Sequence, residues 1–163
     1  MTQLLTFQVG DLECAVPFGS VREIVPCTEV APVTTAPTFV RGLASLRGAP
    51  LPVVDLALKL GRPQTELNRF TCLVVADGPY RGTVVTLGLL VHAASRVLDV
   101  GPEELLPAPP FAHGARLDHL SAVVRSEGGF VLVLDLGVLF SSDEVRAMVS
   151  MEELRQALEG EGR

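Results

Sequence analysis

The sequence predicts an all-β fold of many short strands, arranged as a sandwich or as barrels. Three observations carry this. Short Val- and Leu-rich runs are cut by Gly, Pro and Asp along almost the whole chain. The 163 residues suit one compact unit, in which a chain buries roughly 70% of its unfolded surface without staples. A faint internal repeat is also present: Leu51-Pro-Val-Val-Asp55-Leu56 resembles Val131-Leu-Val-Leu-Asp135-Leu136, and Val21-Arg-Glu-Ile24 echoes Ala94-Ser-Arg-Val97. The offsets are 73 residues early and 80 late. Two similar barrels, each too small to be robust alone, would share a core. Chance likeness among short β-rich runs is the alternative.

The elements follow in order. Leu4–Val9 and Leu12–Val16 form a hairpin over Gly10-Asp11, and Val21–Val25 is the next strand. Val30–Pro37 reads as an extended loop. Phe39–Leu46 and Leu51–Leu56 are strands joined at Arg47-Gly48, where glycine supplies φ > 0. Asp55 caps a short helix, Leu56–Leu60, which Gly61 stops. The polar stretch Gly61–Asn68 reads as a connector. Strands resume at Phe70–Ala76, Thr83–Val91 and Arg96–Val100. Gly101-Pro102-Glu103-Glu104 suits one helical turn with Pro at its first position, and Pro107–Pro110 breaks regular structure. Leu120–Arg125 and Phe130–Leu134 form a last hairpin, and Asp135 caps a second short helix. A capping box at Ser141 opens a C-terminal helix over about 142–159 that packs Val145, Met148 and Val149, and a second box at Ser150 predicts a break or kink there. The chain is thus one domain over 1–163, with two barrel subdomains and the connector near 61–68.

Composition excludes several function classes. Thirteen basic against nineteen acidic residues give a net charge of −6 with no basic block, which disfavours nucleic acid. The longest stretch without Asp, Glu, Lys or Arg is fourteen residues, Gly82–Ser95, short of the ~20 a membrane helix needs. The first residues lack a basic n-region, so a cytoplasmic location is expected. Twelve of the thirteen basic residues are Arg, and the only lysine, Lys59, follows Leu58, so no phosphate-binding Gly-Lys-Ser/Thr loop is present. Cys14, Cys27 and Cys72 form no Cys-x-x-Cys pair and read as small apolar residues. His113 and His119, six apart across a Gly-containing loop, are a poor metal pair. No nucleophile elbow occurs, and neither cofactor nor metal is expected.

Residues 21–61 place Val21-Arg-Glu-Ile24, Pro37-Thr-Phe-Val-Arg-Gly42, Ser45-Leu-Arg-Gly48, Leu51-Pro-Val-Val-Asp-Leu56 and Gly61 in series. This order resembles the CheW-like coupling proteins of bacterial chemotaxis. The second half agrees at Gly88–Val91, Val97-Leu98, Pro107–Pro109 and Leu132–Leu136, so the likeness spans about residues 4–140. It implies two five-stranded, SH3-like β-barrels over a shared core. It also implies a non-catalytic adaptor, joining the cytoplasmic tips of methyl-accepting chemotaxis receptors to the regulatory domain of a CheA-type histidine kinase. Two departures stand out: Ser45 replaces the family's Asn, and His92 replaces its usual acidic residue. They leave open an accessory, non-flagellar pathway. A small-ligand sensor or an enzyme using the inter-barrel cleft is the alternative from another class, and self-assembly through β edges a weaker one.

The resemblance implies that the strand of Val21 and Glu23 belongs to a receptor-binding face, an ordinary edge strand being the alternative, and Arg47 joins them as a receptor-binding candidate for its guanidinium. Two apart on a strand, Val21 and Glu23 share a face, with Arg22 and Ile24 on the other. With Ile24 in the core, Val21 would sit exposed beside a carboxylate. Arg47 reads either as an interface anchor or as the partner of an acidic residue that braces its hairpin. Gly42 and Gly48 read as backbone requirements. Asp55 and Asp135 could pass for a catalytic carboxylate pair, but their matched contexts favour helix caps.

Overall fold

The computed structural model describes residues 1–32, 39–80, 83–107 and 120–140, with Glu144, Arg146, Ala147 and Ser150. Among these, eleven strands form two sheets: β1 (Thr2–Val9), β2 (Leu12–Pro17), β3 (Val21–Pro26), β4 (Val40–Leu46), β5 (Ala49–Asp55), β6 (Cys72–Tyr80), β7 (Thr83–Val91), β8 (Ala93–Val100), β9 (Leu105–Leu106), β10 (Leu120–Ser126) and β11 (Gly129–Leu134). One sheet runs β3-β6-β7-β5-β4 and the other β8-β1-β2-β11-β10-β9. The N-terminal hairpin therefore completes the barrel built by the last four strands. The second sheet has six strands rather than the expected five, because Leu105–Leu106 pairs with Val124 and Val123. A two-residue strand beside a proline leaves no alternation to read.

The internal repeat is a repeat of topology. Strands β3, β6, β7, β5 and β4 occupy the positions of β8, β1, β2, β11 and β10. In both sheets one pair is parallel, β5 with β7 and β11 with β2. Each long hairpin carries a β-bulge at the same place, between Val40 and Gly42 and between Leu120 and Ala122. The five-stranded barrel is closed where Ala31 bridges Leu43, as β9 meets β10 in the other.

Strands buried on both faces read as continuous apolar runs, because alternate residues serve different cores. Leu4, Ala15, Val100, Val124, Val131 and Val133 fill the six-stranded barrel. Cys27, Leu51, Val53, Leu73, Val75 and Leu90 fill the five-stranded one. Between the sheets lies the shared core, to which Phe7 and Val16 contribute from one side and Val54, Val74 and Leu89 from the other.

α1 (Leu56–Lys59) starts at Asp55, whose side chain accepts from the Ala57 N–H. The turn Pro102–Glu104 is a 3-10 helix, closed by the Gly101 N–H donating to Glu104 Oε1. Asp135 departs from expectation. Its Oδ1 accepts from the Gly137 N–H at 2.9 Å, but Leu136–Val138 form a turn and no helix follows. Asp55 precedes Leu-Ala-Leu-Lys, which are helix formers, whereas Asp135 precedes Leu-Gly-Val, and glycine and a β-branched residue disfavour the helix. The stretch 61–68 joins α1 to β6 within one barrel and so does not separate the two barrels. Glu144, Arg146, Ala147 and Ser150 are helical, within the expected C-terminal helix. Residues 33–38 of the loop, Pro109 and Pro110, His113, His119, Ser141, Val145, Met148 and Val149 lie outside the described residues.

All three cysteines are buried, as their apolar reading requires. Burial and the adjacent Glu13 push the Cys14 thiol up to about 12, and burial also raises Cys27 and Cys72. Ellman's reagent at neutral pH is expected to label none of them rapidly in the native protein and all three in urea. Rapid labelling of a thiol without denaturant would contradict this burial.

Candidate interaction surface

Strand β3 lies at the edge of its sheet, paired among the described residues with β6 alone. A bulge between Val21 and Glu23 changes its faces. Val21 lies opposite Ala76 and packs on the shared core, whereas Glu23 lies opposite Val75, a residue of the barrel interior. The two therefore do not share a face, because the extra residue in a bulge offsets the alternation. Ile24 is not core. It is 42% exposed, while Val21 is half-buried.

Arg47 reaches this strand from the β4–β5 turn. Arg47 and Gly48 have φ of 51° and 83°, and two successive positive values fit the type I′ turn that matches strand twist. The guanidinium grips Glu23 with both ends: Nη1 donates to Oε1 at 2.9 Å and Nη2 donates to Oε2. The Arg47 side chain remains 69% exposed. Its hydrogen bond holds the Glu23 carboxyl below the usual carboxylate range, partly opposed by desolvation. Beside it, Arg22 Nη1 donates to Thr86 Oγ1 at 3.4 Å, and Thr86 Oγ1 donates to Asp77 Oδ1 at 2.7 Å. Arg22, Glu23, Arg47 and Thr86 line a small groove of about 160 Å³. Arg47 thus braces its hairpin against β3, and most of its side chain is exposed.

Gly42 and Gly48 are required by the backbone for different reasons. Gly42 has φ of 145°, and a Cβ there would overlap the Ala31 carbonyl oxygen and lie 2.9 Å from Pro32 Cα. A Cβ at Gly48 would meet nothing within 4 Å, so only its positive φ constrains it.

Asp55 is fully buried and serves more than a cap. Oδ1 accepts from Ala57 N at 3.1 Å and Thr65 Oγ1 at 2.8 Å. Oδ2 accepts from Thr65 N and Arg41 Nη1, both at 3.0 Å. Lys59 Nζ donates to Glu144 Oε1 at 2.7 Å and lies 4.7 and 5.5 Å from the Phe39 and Phe140 ring centres. The only lysine thus clasps the C-terminal helix to α1. His92 Nδ1 accepts from the Gly10 N–H at 2.9 Å, joining a turn of one barrel to the β7–β8 corner.

Two exposed aliphatics were missed in the sequence. Ile24 on β3 and Val97 on β8 are 42% and 44% exposed and occupy equivalent edge strands. They are 73 residues apart, the early offset of the repeat, which was the available signal.

Two barrels on a common core, with ion-paired and apolar side chains on an edge strand, define a protein-interaction module. Residues 3–144 match the family model described as the CheW-like domain. The chain belongs to the CheW-like family, the chemotaxis coupling adaptors. It is 34% identical over 145 residues to the chemotaxis protein CheW of Rhizobium meliloti (strain 1021), covering 89% of this chain and 91% of the relative. It is 28% identical to the CheW of Treponema pallidum (strain Nichols), over 91% and 88% of the two chains. The protein FrzA of Myxococcus xanthus is 32% identical, over 77% and 76%. Among solved structures, the scaffolding protein TtCheW from Thermoanaerobacter tengcongensis superposes with a TM-score of 0.75 at 19% identity, covering 88% of this chain and 94% of that one.

Proposed function

We propose that this adaptor performs no chemistry of its own. It couples the cytoplasmic tip of a methyl-accepting chemotaxis receptor to the regulatory domain of a CheA-type histidine kinase, in the cytoplasm at receptor arrays. The observation that carries the reading is the Arg47–Glu23 pair, a charged and largely open clasp between a turn and an edge strand. Glu23 and Arg47 form the receptor side, extended round the strand edge by the half-buried Val21 and the exposed Ile24 of its other face. The kinase takes a different surface, because a coupling protein holds both partners at once. His92 and Ser45, which depart from the family pattern, support an accessory pathway as a second reading.

Arg47→Ala is expected to weaken receptor binding tenfold or more, as loss of an interface anchor does, while the melting temperature changes little, since exposed pairs contribute little. Melts beside binding isotherms decide this. A large fall in melting temperature with unchanged affinity would leave Arg47 as a brace alone. The pair's support for the fold is complete above the ordinary carboxylate range and fades as pH falls through the depressed Glu23 value.

Charge reversal, Glu23→Arg, is expected to weaken the receptor signalling fragment yet leave the kinase regulatory domain nearly unaffected. Each is titrated separately. Equal loss for both partners with the fold intact would sink the two-surface arrangement, and loss for the kinase alone would reverse the assignment of faces.

A further inference from the structure

The two barrels differ at one equivalent place. In the five-stranded barrel the bulge residue Arg41 reaches the strand-end carboxylate Asp55, and Thr65 seals the site. In the six-stranded barrel the bulge residue is Ser121 and the strand-end carboxylate is Asp135. Asp135 Oδ1 accepts from Gly137 N, as Asp55 Oδ1 does from Ala57 N. Asp135 Oδ2, the counterpart of the oxygen that holds Arg41, has no hydrogen-bond partner among the described residues. Ser121 and Asp135 instead line a cleft of about 350 Å³. Asp77, Ser20, Pro17 and Leu136 line it with them, and among the described residues no Arg or Lys does. Asp77 is already engaged by Thr86, and by Arg22 at 3.7 Å, so it adds negative field more than a free ligand.

We infer that this cleft receives an arginine side chain from a partner protein, in the place that Arg41 fills from within the chain in the other barrel. The chemistry is that of a planar guanidinium donating to a carboxylate and to flanking hydroxyls. The partner is a protein of the signalling assembly, and this clause rests on the adaptor role proposed above.

The full chain is tested as wild type, Asp135→Asn and Ser121→Arg, the last designed to fill the cleft from within. The first probe is N-acetyl-arginine amide, followed by backbone amide shifts. Saturable shifts at Ser121, Asp135 and Gly137 are expected in the wild type. They should be about tenfold weaker or lost in both variants, and N-acetyl-leucine amide should give none. No saturable shift in the wild type, or an equal response in Asp135→Asn, overturns the site. Receptor fragment and kinase regulatory domain are then titrated separately, and both variants should lose about tenfold in affinity for one of them. Unchanged affinity for both overturns the partner. A wild type that binds neither protein defeats the adaptor reading instead, and the amide titration still decides the cleft. Should Ser121→Arg fail to fold, Asp135→Asn carries both measurements.

Discussion

Asp55→Ala is expected to destabilise the protein by about 3–5 kcal/mol, the cost of removing one partner from a buried charge pair. Domains are stable by only about 5–15 kcal/mol, so much of the chain would unfold at moderate temperature. The size follows from what is left behind. Arg41 is 17% exposed and would lose its carboxylate, keeping only the Thr65 carbonyl at 2.8 Å. The Thr65 N–H and hydroxyl would lose their acceptor, and α1 its cap. Stranded groups of this kind cost more than the net strength of the bonds themselves. The effect should spread to 61–68, which Thr65 ties to the barrel. Urea denaturation measures the loss, and amide exchange at Thr65 and Ala57 localises it. Asp55→Asn separates charge from hydrogen bonding: it keeps an acceptor for Ala57 or Thr65 but not the pairing with Arg41. A loss within about 1 kcal/mol for Asp55→Ala, the range of an ordinary helix cap, would mean the network contributes nothing beyond the cap.

The strands were legible because the pattern was strong. Val53 and Val54, or Leu73 and Val74, face different cores, and a run buried on both faces is hydrophobic throughout. The repeat was legible through Asp55 and Asp135, which end equivalent strands. What each barrel does with its aspartate was not legible, because that depends on Arg41, Thr65 and Ser121 arriving from other elements. Bulges were hidden as well. Nothing in Val-Arg-Glu-Ile announces an extra residue at Arg22, and alternation alone therefore sent Ile24 inward and joined Val21 to Glu23 on one face. Arg47 reads in the sequence either as an interface anchor or as the brace to an acidic residue, and the structure supplies that acidic residue in Glu23. The bidentate grip of Arg47 on Glu23, 24 residues away, is a tertiary fact that spacing along the chain does not contain.

Gly42→Ala is expected to cost roughly 4 kcal/mol or more, in the range reached only by a few disruptive mechanisms. Two penalties act together. The φ of 145° is one that L side chains rarely adopt. The added methyl would also strike the Ala31 carbonyl, which accepts from the Leu43 N–H at 2.8 Å while the Ala31 N–H donates to the Leu43 carbonyl at 2.9 Å. Those two bonds close the five-stranded barrel, so relief of the clash requires the closure to open. The obstacle is backbone, and Ala31→Gly should not rescue the variant. Gly48→Ala provides the contrast: it meets nothing within 4 Å and should cost only the left-handed strain of about 1–2 kcal/mol. The opened edge of β4 would also expose Leu43 and Ala44 beside the Val25–Glu29 segment, which together line a groove of about 360 Å³. Gly42→Ala should therefore lower solubility as well as stability, since unpaired strand edges invite association. Melting temperature, light scattering and amide exchange at Ala31 and Leu43 report the three effects. Equal costs at Gly42 and Gly48 would show that conformation alone, without the approach of Ala31, sets the requirement for glycine.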